Sequence, residues 1–289
     1  MSEVNKFIQV EDLQPPTKKN YYLFVLDASG SMDGVREVTR TGLNEQLQTI
    51  RADAKEFKDQ EYYVTLLSFN TKVNPLYVNI KITLDGNDVP DITKEQYDPN
   101  GGTALYDAMA YGIRVVKESA EAELKNPLNK VQMVVLTDGE ENSSVEYPRY
   151  DGGADKIKGM LEALQGTKQW TVAYLGCDHD VLRVASDLGI HGSNVMSYSG
   201  GAQKSIGTKS AFDTMKMSSH AYSVCRAKDT LAEVDGAICS TQDLTSGYIT
   251  GVNPAGEVKD TAVTSTADVV SGNDDTKVPV IPKKKGKKK

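Results

Sequence analysis

Asp27, Ser29 and Ser31 place one carboxylate and two hydroxyls within five consecutive residues of this 289-residue chain. Such oxygen donors suit a hard divalent cation, Mg²⁺ first, with Mn²⁺ or Ca²⁺ as alternatives; the soft ligands that zinc or copper prefer are missing from the set. Three donors do not complete a coordination shell. Further oxygens must then arrive from distant parts of the chain, and two places can supply them. Thr103 follows the glycine-rich turn Asp98-Pro99-Asn100-Gly101-Gly102, and Asp138 follows the apolar run Val131-Gln132-Met133-Val134-Val135-Leu136 and Thr137.

The elements that must position these residues can be read from periodicity. Tyr21-Tyr22-Leu23-Phe24-Val25-Leu26 is an apolar run of strand length that delivers Asp27 to a loop, where Gly30 permits a tight turn. Val35, Val38, Leu43, Leu47, Ile50, Ala54 and Phe57 then recur every three to five positions, which predicts a long amphipathic helix. A strand is expected over 62–69 and a one-sided edge strand over 76–84, hairpinned to it through 70–75. Leu105, Met109, Ile113 and Val116 predict a helix that begins just after Thr103, where a hydroxyl can cap or ligate. The near-continuous apolar run 131–136 has the character of a central parallel strand buried on both faces. Helix 154–165, strand 169–175, a short helix 179–189, strand 194–198 and a helix between 200 and 232 complete the alternation. This order predicts a three-layer, doubly wound α/β fold whose sheet is mostly parallel with one antiparallel edge strand.

Composition bounds the remainder. Residues 1–19 read as a polar lead-in, 20–235 as the domain with its C-terminal helix, and 236–289 as a disordered tail, although 262–270 holds enough valine for a short strand. No stretch approaches the roughly 18 apolar residues of a membrane span, and no signal-peptide core follows Met1, so a cytoplasmic protein is expected. Cys177, Cys225 and Cys239 have no metal-binding spacing and fit reduced thiols. The formal net charge of −7 includes six lysines at 283–285 and 287–289, so the body of the chain is more acidic still. That balance argues against a broad nucleic-acid surface on the domain and leaves only the segment Lys283 to Lys289 as a contact for polyanions.

Together, the Asp-x-Ser-x-Ser loop, the distant Thr103 and the distant Asp138 resemble the von Willebrand factor A family and its metal-ion-dependent adhesion site. The resemblance covers about 20–200. It implies that Ser29, Ser31 and Thr103 contact the metal directly, with Asp27 and Asp138 acting directly or through water. It further implies a non-enzymatic module whose partner presents an Asp or Glu to the metal. The local wording around the three motifs is similar to intracellular microbial members, whose partners include AAA+ ATPases and stress-response complexes. This chain itself contains no G-x-x-x-x-G-K-[ST] motif. The rival readings are a metal-dependent hydrolase or phosphatase using the same crevice, and a nucleic-acid-associated scaffold acting through the lysine tail.

Other chemistry-bearing residues have plainer roles. Cys177-Asp178-His179-Asp180 lacks a second pair for zinc, so Asp178 or Asp180 is expected to cap a helix. Glu140 and Glu141, exposed acids after a strand, are expected to face solvent. Ser29 paired with His179 or His191 does not form a hydrolytic set, because no G-x-S-x-G elbow is present. Met215 and Met217 read as core and surface positions of the last helix.

Overall fold

Strand β1, Lys18–Asp27, lies near the middle of a six-stranded sheet, flanked by β2 (Gln60–Phe69) on one side and β4 (Lys130–Thr137) on the other. The computed structural model describes residues 17–83, 89–177 and 180–232, without the side chains of 228–232. All of these residues fall in one compact unit. With β3 (Val73–Lys81), β5 (Trp170–Cys177) and β6 (Val195–Tyr198), the strand order is β3-β2-β1-β4-β5-β6. Every pairing is parallel except β2 with β3. The predicted α/β architecture is the one observed.

Alternation along β1 sorts its side chains between two layers, because successive residues of a strand point to opposite faces. Tyr21, Leu23 and Val25 pack with α2 (Leu105–Ala120), α3 (Gly153–Gly166) and α4 (Val181–Asp187); Tyr22, Phe24 and Leu26 pack with α1 (Arg36–Glu56) and α5 (Lys204–Ala232). β4 and β5 are buried along their whole length, as strands covered on both faces must be. Helices α1 and α5 are tied by Gln46 to Ser219, Lys216 to Glu45, and Ser223 to Asp53. Among the described residues no helix is long and apolar enough to cross a membrane.

Boundaries differ most from expectation in β3 and β1. β3 starts at Val73 rather than 76 and ends at Lys81, so the predicted loop 70–75 shrinks to a tight turn. Pro75 lies inside the strand, opposite Leu67, which an edge strand tolerates because one side of its ladder needs no N–H. The pairing with β2 shifts register between Val64 and Leu67, where Asn79 adopts φ 49° and its N–H donates to Thr65 Oγ1. β1 likewise begins at Lys18, inside the predicted lead-in. Lys18 and Asn20 are polar but buried, Asn20 donating to Gln60 Oε1. Residues 1–16, the tail 236–289, its valine-rich 262–270 and the lysine run lie outside the described residues.

Candidate metal centre

In an open parallel sheet, a crevice forms where the strand order reverses, at the carboxyl ends of the strands on either side. Here that point lies between β1, which leads on to β2, and β4, which continues to β5 on the opposite side. Asp27 is the last residue of β1, and Asp138 follows the last residue of β4.

Asp27 is wholly buried. Its Oδ1 accepts from the Ser29 N–H at 2.6 Å and its Oδ2 from Thr137 Oγ1 at 2.6 Å, while its carbonyl oxygen accepts from the Tyr97 hydroxyl at 2.7 Å. Burial pushes the Asp27 carboxyl from 3.8 up to about 6; the hydrogen bonds from Thr137 and Ser29 oppose this, and the charge of Asp138 adds to it. Ser29 Oγ lies 3.0 Å from Ser31 Oγ, and Ser31 Oγ donates to Asp138 Oδ1 at 2.7 Å. Hydrogen bonds thus link Asp27, Ser29, Ser31 and Asp138 in series.

The turn carrying Thr103 is fastened to the first loop. Gly30 N–H donates to the Gly101 carbonyl at 3.1 Å and Asn100 N–H to the Ala28 carbonyl at 2.9 Å. Gly101 has φ +72°, a conformation open to glycine without steric cost. On its other side the turn meets the loop after β4: Thr103 N–H donates to Asn142 Oδ1, and the Thr103 carbonyl accepts from the N–H groups of Asn142 and Ser143. A Cβ added to Gly139, the neighbour of Asp138, would lie 3.7 Å from Thr103 Oγ1. The structure therefore brings all five predicted residues to one crevice.

Thr103 does not cap α2. That role falls to residues of the β4 loop: Glu141 Oε2 accepts from the Tyr106 N–H and Ser144 Oγ from the Asp107 N–H. The expectation that Glu141 faces solvent is overturned, because its carboxylate is buried and also accepts from the N–H groups of Ser143 and Ser144 and from Ser144 Oγ. A carboxylate surrounded by donors can be buried where an unpartnered one cannot. Glu140 does lie on the rim, paired with Arg149 at 2.9 Å and Arg183 at 3.2 Å. Asp180 caps α4, accepting from the Arg183 N–H, as one of the two predicted caps. Asp178 and His179 lie outside the described residues. Met215 is core and Met217 half-buried.

Three contributors were not assigned from the sequence. Thr137 adjoins Asp138 in the motif yet turns to the other carboxylate, Asp27. Tyr97 reaches in from an irregular segment with no periodic signal. Lys204, the first residue of α5, forms an ion pair with Asp138 and donates to the Ser31 carbonyl at 2.7 Å.

Residues 22–141, which include all five oxygen-bearing positions, match the von Willebrand factor type A domain. This segment belongs to the von Willebrand factor A family. Domains of this family are in general metal-dependent protein-interaction modules. The chain is 26% identical over 136 residues to inter-alpha-trypsin inhibitor heavy chain H2 of Mus musculus and 24% identical over 136 residues to that of Mesocricetus auratus. Each alignment covers 46% of this chain and 13% of the relative, so the chain spans a small part of the curated relatives it matches. Among solved structures, it is similar to a von Willebrand factor type A protein from Catenulispora acidiphila, with TM-score 0.46, 15% identity, and coverage of 71% of this chain and 43% of that one. It is also similar to proximal thread matrix protein 1 from the mussel byssus, described with a zinc-occupied MIDAS motif, with TM-score 0.46, 15% identity and coverage of 68% and 48%. The PilB minor pilin of Streptococcus sanguinis gives TM-score 0.47 at 13% identity, covering 72% of this chain and 62% of that one.

Proposed function

We propose that the A domain is a non-enzymatic protein-interaction module in which Asp27, Ser29, Ser31, Thr103 and Asp138 hold a divalent cation, Mg²⁺ foremost, and a partner's Asp or Glu completes the coordination. The observation that carries this reading is the spacing of the donors. Ser29 Oγ and Ser31 Oγ are 3.0 Å apart, close to the ~2.9 Å edge of an octahedron with metal–oxygen distances of about 2.0–2.1 Å. The donor set, two carboxylates and three hydroxyls, is all oxygen and so suits a hard cation. A cation held largely by neutral hydroxyls keeps enough positive charge to attract an outside carboxylate.

The chain's own residues prepare that exchange. Thr137 and the Ser29 N–H orient the Asp27 carboxylate, and Ser31 orients Asp138 by donating to Oδ1. Beside Ala28 and Asn100 a cleft of about 200 Å³ lined by Asn70, Lys72, Glu95 and Asp98 offers polar contacts to residues flanking the partner's acid. An AAA+ ATPase or a stress-response complex is the partner class that the motif wording favours.

Calorimetric titration of Mg²⁺ into the full chain, with Asp27→Ala and Thr103→Ala in parallel, tests the assignment. Both variants are expected to retain the wild-type circular dichroism spectrum and to lose roughly tenfold or more in Mg²⁺ affinity, as removal of even outer-shell groups does in metal sites. Unchanged affinity in both refutes it.

A further inference from the structure

The first turn of a helix carries partial positive charge and favours acidic side chains. α5 begins instead with Lys204 and has no acidic residue in that turn. Such a broken local rule is characteristic of functional positions. Lys209 and Lys216, further along α5, pair with Asp213 and Glu45 away from the crevice. The ammonium of Lys204 reaches into it, pairing with Asp138 and bonding the Ser31 carbonyl, so one side chain bridges the β1 loop and the end of β4. Its side chain is 19% exposed and that of Asp138 1%. The helix start is held in place by Gly207, where an added Cβ would overlap the Ser199 backbone.

We infer that Lys204 is a tethered cation that competes with the divalent ion for Asp138 and so sets the affinity of the centre, an inference that rests on the metal reading above. Asp27 and Asp138 are the two carboxylates of the donor set, and the docked ammonium offsets one of them. A second cation a few ångströms away is repelled by several times thermal energy even at an effective dielectric of about 20. Lysine carries its charge on a flexible four-carbon stem and can swing out where a backbone group could not. Filling the centre then frees the ammonium, and because Lys204 is the first residue of α5, the helix start loses its tie to the first loop.

The test uses the full chain and Mg²⁺ alone. Mg²⁺ is titrated into wild type, Lys204→Met, which keeps the length without the charge, and Lys204→Arg, which keeps the charge. In parallel, acetylation of Lys204 in wild type by a water-soluble ester is followed by mass spectrometry in EDTA and in saturating Mg²⁺. Lys204→Met is expected to bind Mg²⁺ at least about fivefold more tightly and Lys204→Arg to stay within about threefold of wild type. Acetylation of Lys204 is expected to accelerate several-fold with Mg²⁺. If wild type binds Mg²⁺ but Lys204→Met binds no more tightly, or if Lys204 is acetylated no faster with the ion, the role of Lys204 is overturned and the metal site stands. If none of the three proteins binds Mg²⁺, both readings fall. The acetylation arm uses the unsubstituted chain and decides the matter even should Lys204→Met fail to fold.

Discussion

Replacing Asp27 with Asn should stabilise the metal-free protein while abolishing its metal binding. Folding lifts the Asp27 carboxyl from 3.8 to about 6, burial being the main cause. A folded-state value above the unfolded one means that the native state binds the proton more tightly. The stabilising contribution is thus complete below about pH 3.8 and is lost as pH rises through 6. Each tenfold change in proton affinity is worth about 1.4 kcal/mol, so the ionised carboxylate costs up to about 3 kcal/mol at pH 8. Asn is nearly isosteric and avoids that cost. Its carbonyl can accept from the Ser29 N–H, and Thr137 Oγ1, which has Gly139 O 3.0 Å away as an alternative acceptor, can turn to receive the new amide. Urea denaturation in EDTA should show Asp27→Asn more stable than wild type by about 1–3 kcal/mol at pH 8, with the gap closing toward pH 4. Calorimetry should show Mg²⁺ binding lost. A variant less stable than wild type at pH 8, or a gap independent of pH, would refute the account of Asp27 as a buried charge.

Two further substitutions probe the scaffold. Glu141→Ala strips the acceptor from the N–H groups of Tyr106, Ser143 and Ser144 and should cost about 2–4 kcal/mol in urea denaturation. Gly101→Ala forces a side chain into φ +72°, with its Cβ 2.7 Å from Thr71 Oγ1. It should destabilise by about 1 kcal/mol or more, and calorimetry should show weaker Mg²⁺ binding because the turn that carries Thr103 shifts.

What could be read in advance depended on how local its cause was. The β1 run ending at Asp27, the Gly101-Gly102 turn and the apolar β4 ending before Asp138 are each dictated within about ten residues, and the doubly wound order follows from their alternation. The expected start of β3 falls three residues late because clear alternation begins only at Leu76, whereas Val73, Asn74 and Pro75 join the strand through pairing with Phe69, Ser68 and Leu67, a tertiary fact. Glu141 misled for the same reason: an acid after a strand looks solvated until backbone donors from Tyr106, Ser143 and Ser144 surround it. Lys18 and Lys19 look like a polar lead-in, yet pairing to Gln60 and to Glu61 across the sheet draws them into β1. Lys204 lies 66 residues beyond Asp138 in the chain, and only the return of α5 over the sheet joins them.

The borders of the sheet also determine how this protein can be gripped. On one side β6 offers only four residues, and on the other β3 carries a proline and the kinked Asn79. Neither border is a good template for annealing a foreign strand, backbone to backbone. With the partner docking at the metal centre, as we propose, selection among partners rests on side chains clustered where the strands end, so changing a few loop residues there should redirect recognition without disturbing the ladder beneath.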